Sequence, residues 1–172
     1  MDRSDPRPTL AHYFFSVAVL ALLWLLLAGT LRQDELIAAG VAAVLVTLIA
    51  GPRLAILSGV RLTPLAPVHL VVYLVAFFVA LIRSNLDVAR RVLSPSLPIR
   101  PGVVEVVTRL QSPLGRMLLA NSITLTPGTL SIDIVGDRIL VHWIDCPPGT
   151  DLVRATKAIS ESFERHISGF LK

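Results

Sequence analysis

The stretch LLANSITLTPGTLSID, residues 118–133, decides the fold because it joins two halves of the chain that differ in character. The half before it is strongly apolar, and the half after it has the composition of an ordinary soluble domain. Within the stretch, hydroxyl and amide side chains alternate with Ile and Leu, and Pro127-Gly128 interrupts the alternation. Such alternation favours a pleated, half-buried segment, and Pro-Gly favours a turn whose second residue takes a positive φ.

The composition is typical of a membrane protein. Of the 172 residues 53% are hydrophobic, the mean hydropathy is +0.71, and charged residues make up 16%, against about 25% in typical soluble domains. The net charge of +4 comes without a long run of Lys or Arg. Basic residues that flank membrane segments therefore explain it better than a nucleic-acid partner does. The single cysteine, Cys146, excludes an intramolecular disulfide and a Cys-rich metal site.

Three apolar segments precede the quoted stretch. Residues 11–31 carry no Asp, Glu, Lys or Arg and have the length of a membrane-spanning helix. Residues 36–52 are barely long enough to span, and small residues recur in them at helical spacing. Small residues let helix backbones approach closely, which predicts a tight helical hairpin with the first segment. Residues 65–82 are again about long enough to span.

The third segment continues as a helix beyond its apolar part. In residues 83–93 apolar and polar side chains alternate at helical spacing, so we expect one helix that leaves the bilayer with one face at the headgroups or a partner. Pro95 and Pro98 follow and end it, since the residue before a proline is pushed out of the α region.

The orientation in the membrane follows from basic residues. A cytoplasmic C-terminal half is favoured by four arginines that follow the third segment: Arg83, Arg90, Arg91 and Arg100. We expect three spans, because an apolar run as long as residues 65–82 is costly to leave at a surface. The alternative is two spans with residues 65–82 lying in the membrane plane, which removes the conflict with the arginines at the N-terminus and in residues 53–61. Both versions predict a multi-pass protein of the cell membrane.

The second half of the chain predicts a small α/β domain. A valine-rich strand over residues 99–110 is followed by a short helix over residues 112–123, which starts at Ser112-Pro113. Two alternating strands then follow, joined at Gly136-Asp137, a strong hairpin signal. An apolar stripe then predicts one helix over residues 151–171. The order β-α-β-β-α is ferredoxin-like, short of its last strand. We therefore divide this α+β membrane protein into a transmembrane helical region, residues 1–98, and a cytoplasmic domain, residues 99–172.

Neither half carries the residues that an ion path or an enzyme needs. Intramembrane charges mark ion paths, yet the three apolar segments offer only His12 and His69, near segment ends. In a strand His142 and Asp145 point to opposite faces, and His142 lies about 13 Å from Cys146 at about 3.3 Å per residue. We expect no catalytic, cofactor-binding or metal-binding residue, no cofactor, no enzyme activity, no nucleic-acid partner and no small-molecule substrate.

The motif of residues 121–130, NSITLTPGTL, resembles the E subunit of Mrp-type multisubunit cation/proton antiporters. Residues 84–95, residues 141–145 and the opening segment with Trp24 resemble that family in the same order along the chain. The resemblance implies an accessory, non-translocating subunit of a Na⁺/H⁺ antiporter, whose partners are the other subunits and the lipid bilayer. It implies structural or subunit-contact roles for these residues: Asn85, Asp87, Asn121, Ser122, Thr124, Thr126, Pro127, Gly128, Thr129, His142 and Asp145.

Three alternatives stay open at this point. Related subunits occur in membrane-bound hydrogenases, so the parent complex could be of that type. A stand-alone transporter or membrane enzyme needs a titratable site, which the apolar segments lack. A membrane-anchored adaptor would retain its function when residues 99–172 are detached from the helices.

Overall fold

A computed structural model describes residues 10–50, 59–61 and 63–172. The chain divides into two compact units, Met1–Gly59 and Val60–Lys172, each described by itself below. The leader and most of the loop predicted over residues 53–64 lie outside the described residues. The predicted division at residue 98 stays a prediction.

The first unit contains an antiparallel pair of apolar helices, α1 (Leu10–Ala28) and α2 (Gln33–Ile49). Ala39 and Ala43 are 2% and 3% exposed, which confirms the predicted hairpin with small residues at its interface. Trp24 donates its indole N–H to Glu35 Oε2 at 2.9 Å, so the two helices are also joined near their connection.

The second unit begins with α3 (Ala66–Leu93), a continuous helix of 28 residues. The predicted continuation from the apolar into the polar part is therefore confirmed. The helix ends at Ser94, whose extended backbone precedes Pro95. Among the described residues, α1 and α3 are long and apolar enough to cross a membrane, whereas α2 has 17 residues. The count of three spans stays a prediction.

A three-stranded antiparallel sheet forms the centre of the second unit. Its strands are β1 (Gly102–Val107), β2 (Thr129–Val135) and β3 (Arg138–Trp143), in the spatial order β1-β3-β2. Gly136 has φ of 62° in the two-residue turn between β2 and β3, so the predicted hairpin is confirmed. The α+β class is confirmed as well, while the ferredoxin-like comparison stays a prediction.

The quoted stretch is more helical than its alternation predicts. Helix α4 (Pro113–Leu125) ends two residues beyond the helix expected over residues 112–123, so the pleated interpretation is wrong for residues 118–125. The reason is local: Ser122 and Thr126 donate their hydroxyl hydrogens to carbonyls one helical turn back, at 2.7 Å each. This back-bonding satisfies polar side chains within a helix, and Pro127 then ends the helix.

The single helix predicted over residues 151–171 is two helices, α5 (Leu152–Ile159) and α6 (Glu161–Ile167). Ser160 separates them with φ of −110°. Its N–H bonds to Thr156 O and its carbonyl accepts from Glu164 N, so it ends one helix and begins the next. Its side chain is fully buried, which favours a small residue between the two helices.

The core lies between the sheet and the helices of the second unit. Its fully buried side chains come from β1, β3, α4, α5 and α6, and α3 contributes the buried ring of Tyr73 with the partly buried ring of Phe77 beside it. These are its largest members with less than 2% exposure: Leu119, Ile123, Ile139, Ile167, Val106 and Val141.

Candidate functional site: the motif segment and its contacts with α3

Residues 121–130, here called the motif segment, form the end of α4, a turn at Pro127-Gly128 and the start of β2. The last carbonyls of a helix have no partner within the helix. Thr129 satisfies one of them by donating to Ile123 O at 2.6 Å, and it also lies 3.0 Å from Thr126 O. The hydroxyl hydrogen bonds of the motif therefore hold the helix-to-strand connection in place.

Ser122 links the motif segment to α3. Its hydroxyl donates to Leu118 O at 2.7 Å and lies 2.8 Å from the hydroxyl oxygen of Tyr73. Because a serine has one hydroxyl hydrogen, the Tyr73 O–H is the donor in that second bond. Ser122 is 1% and Tyr73 5% exposed, so the bond is shielded from water. A buried bond of this kind fixes one position of α4 on α3.

Gly128 lies close to Ile144 and to α3. Its φ of 97° lies in the region that favours glycine. A Cβ at this position would lie 3.1 Å from the side chain of Ile144 and 3.9 Å from that of Val88 in α3. The Gly128 carbonyl accepts from the Ile144 N–H at 2.8 Å. A side chain at this position would strain the backbone and would require Ile144 to shift.

Asp145 joins the residues after β3 to α3 by charge. Arg91 Nη1 lies 2.6 Å from Asp145 Oδ2, and Arg100 Nε lies 3.2 Å from Asp145 Oδ1. Arg91 also bonds to Asp87 one turn back at 2.7 Å. The side chains of Arg91 and Asp145 are each 21% exposed. The hydrogen bond from Arg91, together with that from Arg100, holds the pKa of Asp145 below its usual value, although partial burial opposes the shift.

The remaining predicted residues lie around this group with separate roles. Thr124 Oγ1 accepts from the Ser131 N–H at 3.1 Å, and Asn85 donates to Leu81 O in its own helix at 2.7 Å. Asn121 is exposed. His142 lies in the central strand, paired in register with Val103 and Leu130. The structure thus brings Ser122, Gly128 and Asp145 against α3, where Asp87 pairs with Arg91. Asn121, Asn85 and His142 take no part in these contacts.

Sequence reasoning missed the partners on α3 and before β1. Tyr73, Arg91 and Arg100 were not among the predicted site residues, yet they bond to Ser122 and Asp145. Tyr73 carried a weak signal, because a lone phenol in an apolar run needs a hydrogen-bond partner when buried.

A cleft of about 440 Å³ opens beside the motif segment, between α3 and helices α5 and α6. Asp87, Arg91 and Asp145 contribute its charges, and Arg91 forms an ion pair with each of the two aspartates. In the described ranges no cluster of three His, Cys, Asp or Glu could hold a metal ion. The arrangement is suited to holding elements together.

A double-mutant cycle tests the Tyr73–Ser122 bond. We expect Ser122→Ala to destabilise the second unit by about 1–3 kcal/mol, because it leaves a buried Tyr73 hydroxyl unpaired. Adding Tyr73→Phe should recover about 1 kcal/mol of that loss. Urea titration of the full chain in mild detergent, followed by Trp143 fluorescence in a Trp24→Phe background, measures it. The control is Tyr13→Phe, at the other tyrosine of the chain. If the losses in free energy of unfolding from Ser122→Ala and Tyr73→Phe simply added in the double variant, that result would contradict the bond.

The depressed pKa of Asp145 predicts a pH dependence of stability. A carboxylate with a lowered folded-state pKa stabilises the fold above its unfolded pKa, and this contribution is lost as the pH falls through the folded value. We expect the urea midpoint of wild type to be higher than that of Asp145→Asn at pH 7. This difference should close below pH 3.8, the usual pKa of an aspartate. Glu105→Gln is the matched control, since Glu105 pairs with Arg138 at a more exposed site. If Asp145→Asn and Glu105→Gln lowered the urea midpoint equally at pH 7, that result would contradict a larger contribution from the less exposed Asp145.

Comparisons with known proteins identify relatives of the chain. A family model described as a Na⁺/H⁺ ion antiporter subunit matches residues 17–169. The chain is 45% identical to the E subunit of the Na⁺/H⁺ antiporter of Alkalihalophilus pseudofirmus over 93 residues, 53% of this chain and 57% of that protein. It is 29% identical to the E1 subunit of the Na⁺/H⁺ antiporter of Staphylococcus saprophyticus over 151 residues, 87% of this chain and 92% of that protein.

One solved structure is similar over nearly the whole chain. A chain of the membrane-bound sulfane sulfur reductase, an archaeal respiratory membrane complex, superimposes with a TM-score of 0.79 at 36% identity. The match covers 92% of this chain and 98% of that one. The matched segment spans 57% to 60% of several of the curated relatives and 92% of one other. Since the family model covers residues 17–169, the chain belongs to the family of E subunits of Mrp-type Na⁺/H⁺ antiporters.

Proposed function

We propose that this chain is an accessory, non-translocating subunit that supports the assembly and stability of a multisubunit Na⁺/H⁺ antiporter. The observation that carries the proposal is the charge distribution of the apolar segments. Helix α1 has no Asp, Glu, Lys or Arg, α2 has acidic residues only in its first turn, and the apolar part of α3 offers His69 alone. Monovalent cation and proton paths need intramembrane charged groups, so we place them in other subunits.

The contacts of the motif segment support the same role. The hydroxyls of Ser122, Thr126 and Thr129 are used in hydrogen bonds to carbonyls of the second unit. The carboxylate of Asp145 is used by two arginines. Groups engaged in this way stabilise a surface that other subunits can bind. We accordingly propose no enzyme activity, no cofactor and no small-molecule substrate for this chain.

We further propose a multi-pass protein of the cell membrane with residues 99–172 as a cytoplasmic domain of ferredoxin-like order. The β-α-β-β arrangement followed by helices supports that fold comparison. The arginines at the end of α3 and before β1 support the cytoplasmic location through the positive-inside rule.

Purification of the tagged full chain in mild detergent tests the function. We expect several larger membrane proteins to co-purify, and we expect the chain alone in vesicles to show no Na⁺-driven proton movement. Reconstitution of the co-purified assembly should restore that movement. Antiport by the chain alone would overturn the proposal, and so would recovery of the chain from its native membrane as a stable single species.

A respiratory or hydrogenase-type membrane complex is the second candidate for the parent assembly. The likeness to a chain of the sulfane sulfur reductase complex favours it, because it extends over 98% of that chain. The co-purified proteins distinguish the two. Antiporter-like subunits without redox proteins support the first assembly, and iron–sulfur or hydrogenase subunits beside them support the second.

The adaptor alternative makes a different prediction. It requires residues 99–172 to act when detached from the helices. The burial of Tyr73 of α3 in the core of the second unit argues against it.

A further inference from the structure

Helix α3 is attached to the α/β part of the second unit near both of its ends. Just before the helix, Val60 pairs with Leu171 in an antiparallel bridge, and the Arg61 N–H donates to Phe170 O at 2.9 Å. In its first turn the ring of His69 lies directly over Gly169, where no Cβ would fit. At the other end Arg91 pairs with Asp145 at 2.6 Å.

The middle of α3 is covered by the same α/β part. Tyr73 is 5% exposed, and its ring lies 5.7 Å from that of Phe170. One turn later the ring of Phe77 lies 6.4 Å from that of Phe163 in α6. One face of the helix is therefore in contact with the α/β part from His69 to Arg91.

This length of contact conflicts with a membrane-spanning α3. Residues 69 and 91 are separated by about 33 Å along a helix at about 1.5 Å per residue, and a bilayer core is about 30 Å thick. If α3 crossed the bilayer, the α/β part attached along it would have to lie inside the hydrocarbon. Unpaired edges of β1 and β2 are excluded there. Exposed charges are excluded as well, and this part carries many: Glu105, Arg109, Asp137, Arg138, Lys157, Glu161 and Arg165.

The opposite face of α3 is an apolar stripe, defined by seven exposed side chains at helical spacing: Val68, Val71, Val75, Phe78, Ile82, Leu86 and Leu93. Each is more than half exposed. Arg83 and Arg90 are exposed on one side of the stripe, seven residues apart and thus on one line along the helix. Apolar side chains on one face with arginines beside them are typical of a helix that lies in a membrane interface with anionic headgroups.

We propose that α3 lies in the plane of the membrane, on the same side as residues 99–172, with the apolar stripe immersed in anionic phospholipid and Arg83 and Arg90 at the headgroup phosphates. The chain then crosses the bilayer twice, in α1 and α2. This topology also places every arginine outside α1 and α2 on the same side, except Arg32 in the connection between them. The proposal holds whichever complex contains the chain.

Cysteine labelling of the full chain in its native membrane tests the topology. In a Cys146→Ser background we introduce single cysteines at Thr30, Thr63 and Lys157 and add a membrane-impermeant maleimide to intact cells. We expect Thr30→Cys to react at once, and Thr63→Cys and Lys157→Cys to react only after permeabilisation. Reaction of Thr63→Cys in intact cells together with protection of Thr30→Cys and Lys157→Cys means three spans and overturns the proposal. If Thr63→Cys and Lys157→Cys both react in intact cells, the in-plane helix stands and the cytoplasmic location is wrong.

Spin-label depth tests the lipid as occupant of the stripe. Nitroxides at Val68→Cys, Val75→Cys and Ile82→Cys are compared in vesicles of phosphatidylglycerol and phosphatidylcholine that contain the full chain. We expect one common depth, whereas a spanning helix changes depth by about 10 Å per seven residues. Labels shielded from both oxygen and a polar relaxant would show a protein on the stripe and overturn the lipid assignment.

The same vesicles test the contact of Arg83 and Arg90 with the headgroups. We expect Arg83→Gln with Arg90→Gln to make the Ile82→Cys label shallower in vesicles that contain phosphatidylglycerol. In pure phosphatidylcholine the same pair of substitutions should leave the depth unchanged. An unchanged depth in both lipids would overturn the headgroup contact.

Discussion

Gly128→Val is expected to destabilise the second unit by about 3 kcal/mol or more. A β-branched residue at positive φ costs about 1–3 kcal/mol of backbone strain, and Gly128 has φ of 97°. Its Cβ would also lie 3.1 Å from the side chain of Ile144, so that neighbour must shift. Urea titration followed by Trp143 fluorescence in the Trp24→Phe background measures the change in free energy of unfolding.

The matched control is Gly149→Val. Gly149 also has a positive φ, 71°, but nothing lies within 4 Å of a Cβ placed there. The difference between the two variants therefore isolates the contact with Ile144. Equal losses would show that strain alone acts at Gly128. In the assembled complex, antiport should fall in proportion to complex yield after Gly128→Val, with ion selectivity unchanged; altered selectivity at normal yield would contradict a structural role of the turn.

Ile123→Ala is the second substitution with a large expected effect. Ile123 is fully buried at the end of α4, and removal of its side chain leaves a cavity beside Leu119 and the sheet. Truncation of a buried Ile costs about 2–5 kcal/mol in transfer and cavity free energy. The same urea titration should show this loss with an unchanged slope, since the unfolded surface is nearly the same.

Leu125→Ala, two residues later in the same motif, is the matched control. Leu125 is 59% exposed, so its truncation is expected to cost less than about 0.5 kcal/mol. The pair also distinguishes helix from strand. In a pleated segment residues 123 and 125 face the same side and should cost similar amounts, whereas the helical end of α4 turns Leu125 away from the core. Similar losses would contradict the helix.

The local elements could be predicted because their signals are local. Gly136-Asp137 between two alternating runs specified the hairpin, and Pro95 marked the end of α3. The predicted turn with positive φ at Gly128 is found as well. The break at Ser160 could not be predicted, because the apolar stripe of α5 continues into α6 without a change of period. The feature that marks the break is the buried Ser160 with its φ of −110°, and burial depends on packing.

Only the motif residues of the site were predicted, and their partners in α3 were not. The motif residues were identified, but Tyr73 lies 49 positions before its partner Ser122, and Arg91 lies 54 positions before Asp145. Pairings across such distances depend on how the elements dock, and no spacing rule within the sequence encodes them. His142 and Asp145 were grouped by proximity in sequence, whereas the structure gives Asp145 its arginines and leaves His142 in the central strand.

The bridge between Val60 and Leu171 also delays completion of the fold during biosynthesis. The segment that precedes α3 cannot complete its pairing until about 110 further residues have been made, which takes about 6 to 20 s at about 5–20 residues per second. Throughout that interval the face of α3 that carries Tyr73 is uncovered as well as the apolar stripe. In the proposed topology α1 and α2 already hold the ribosome at the bilayer, which keeps this nascent helix beside lipid. Delayed closure of the fold thus favours synthesis at the membrane over release of the chain into the cytosol.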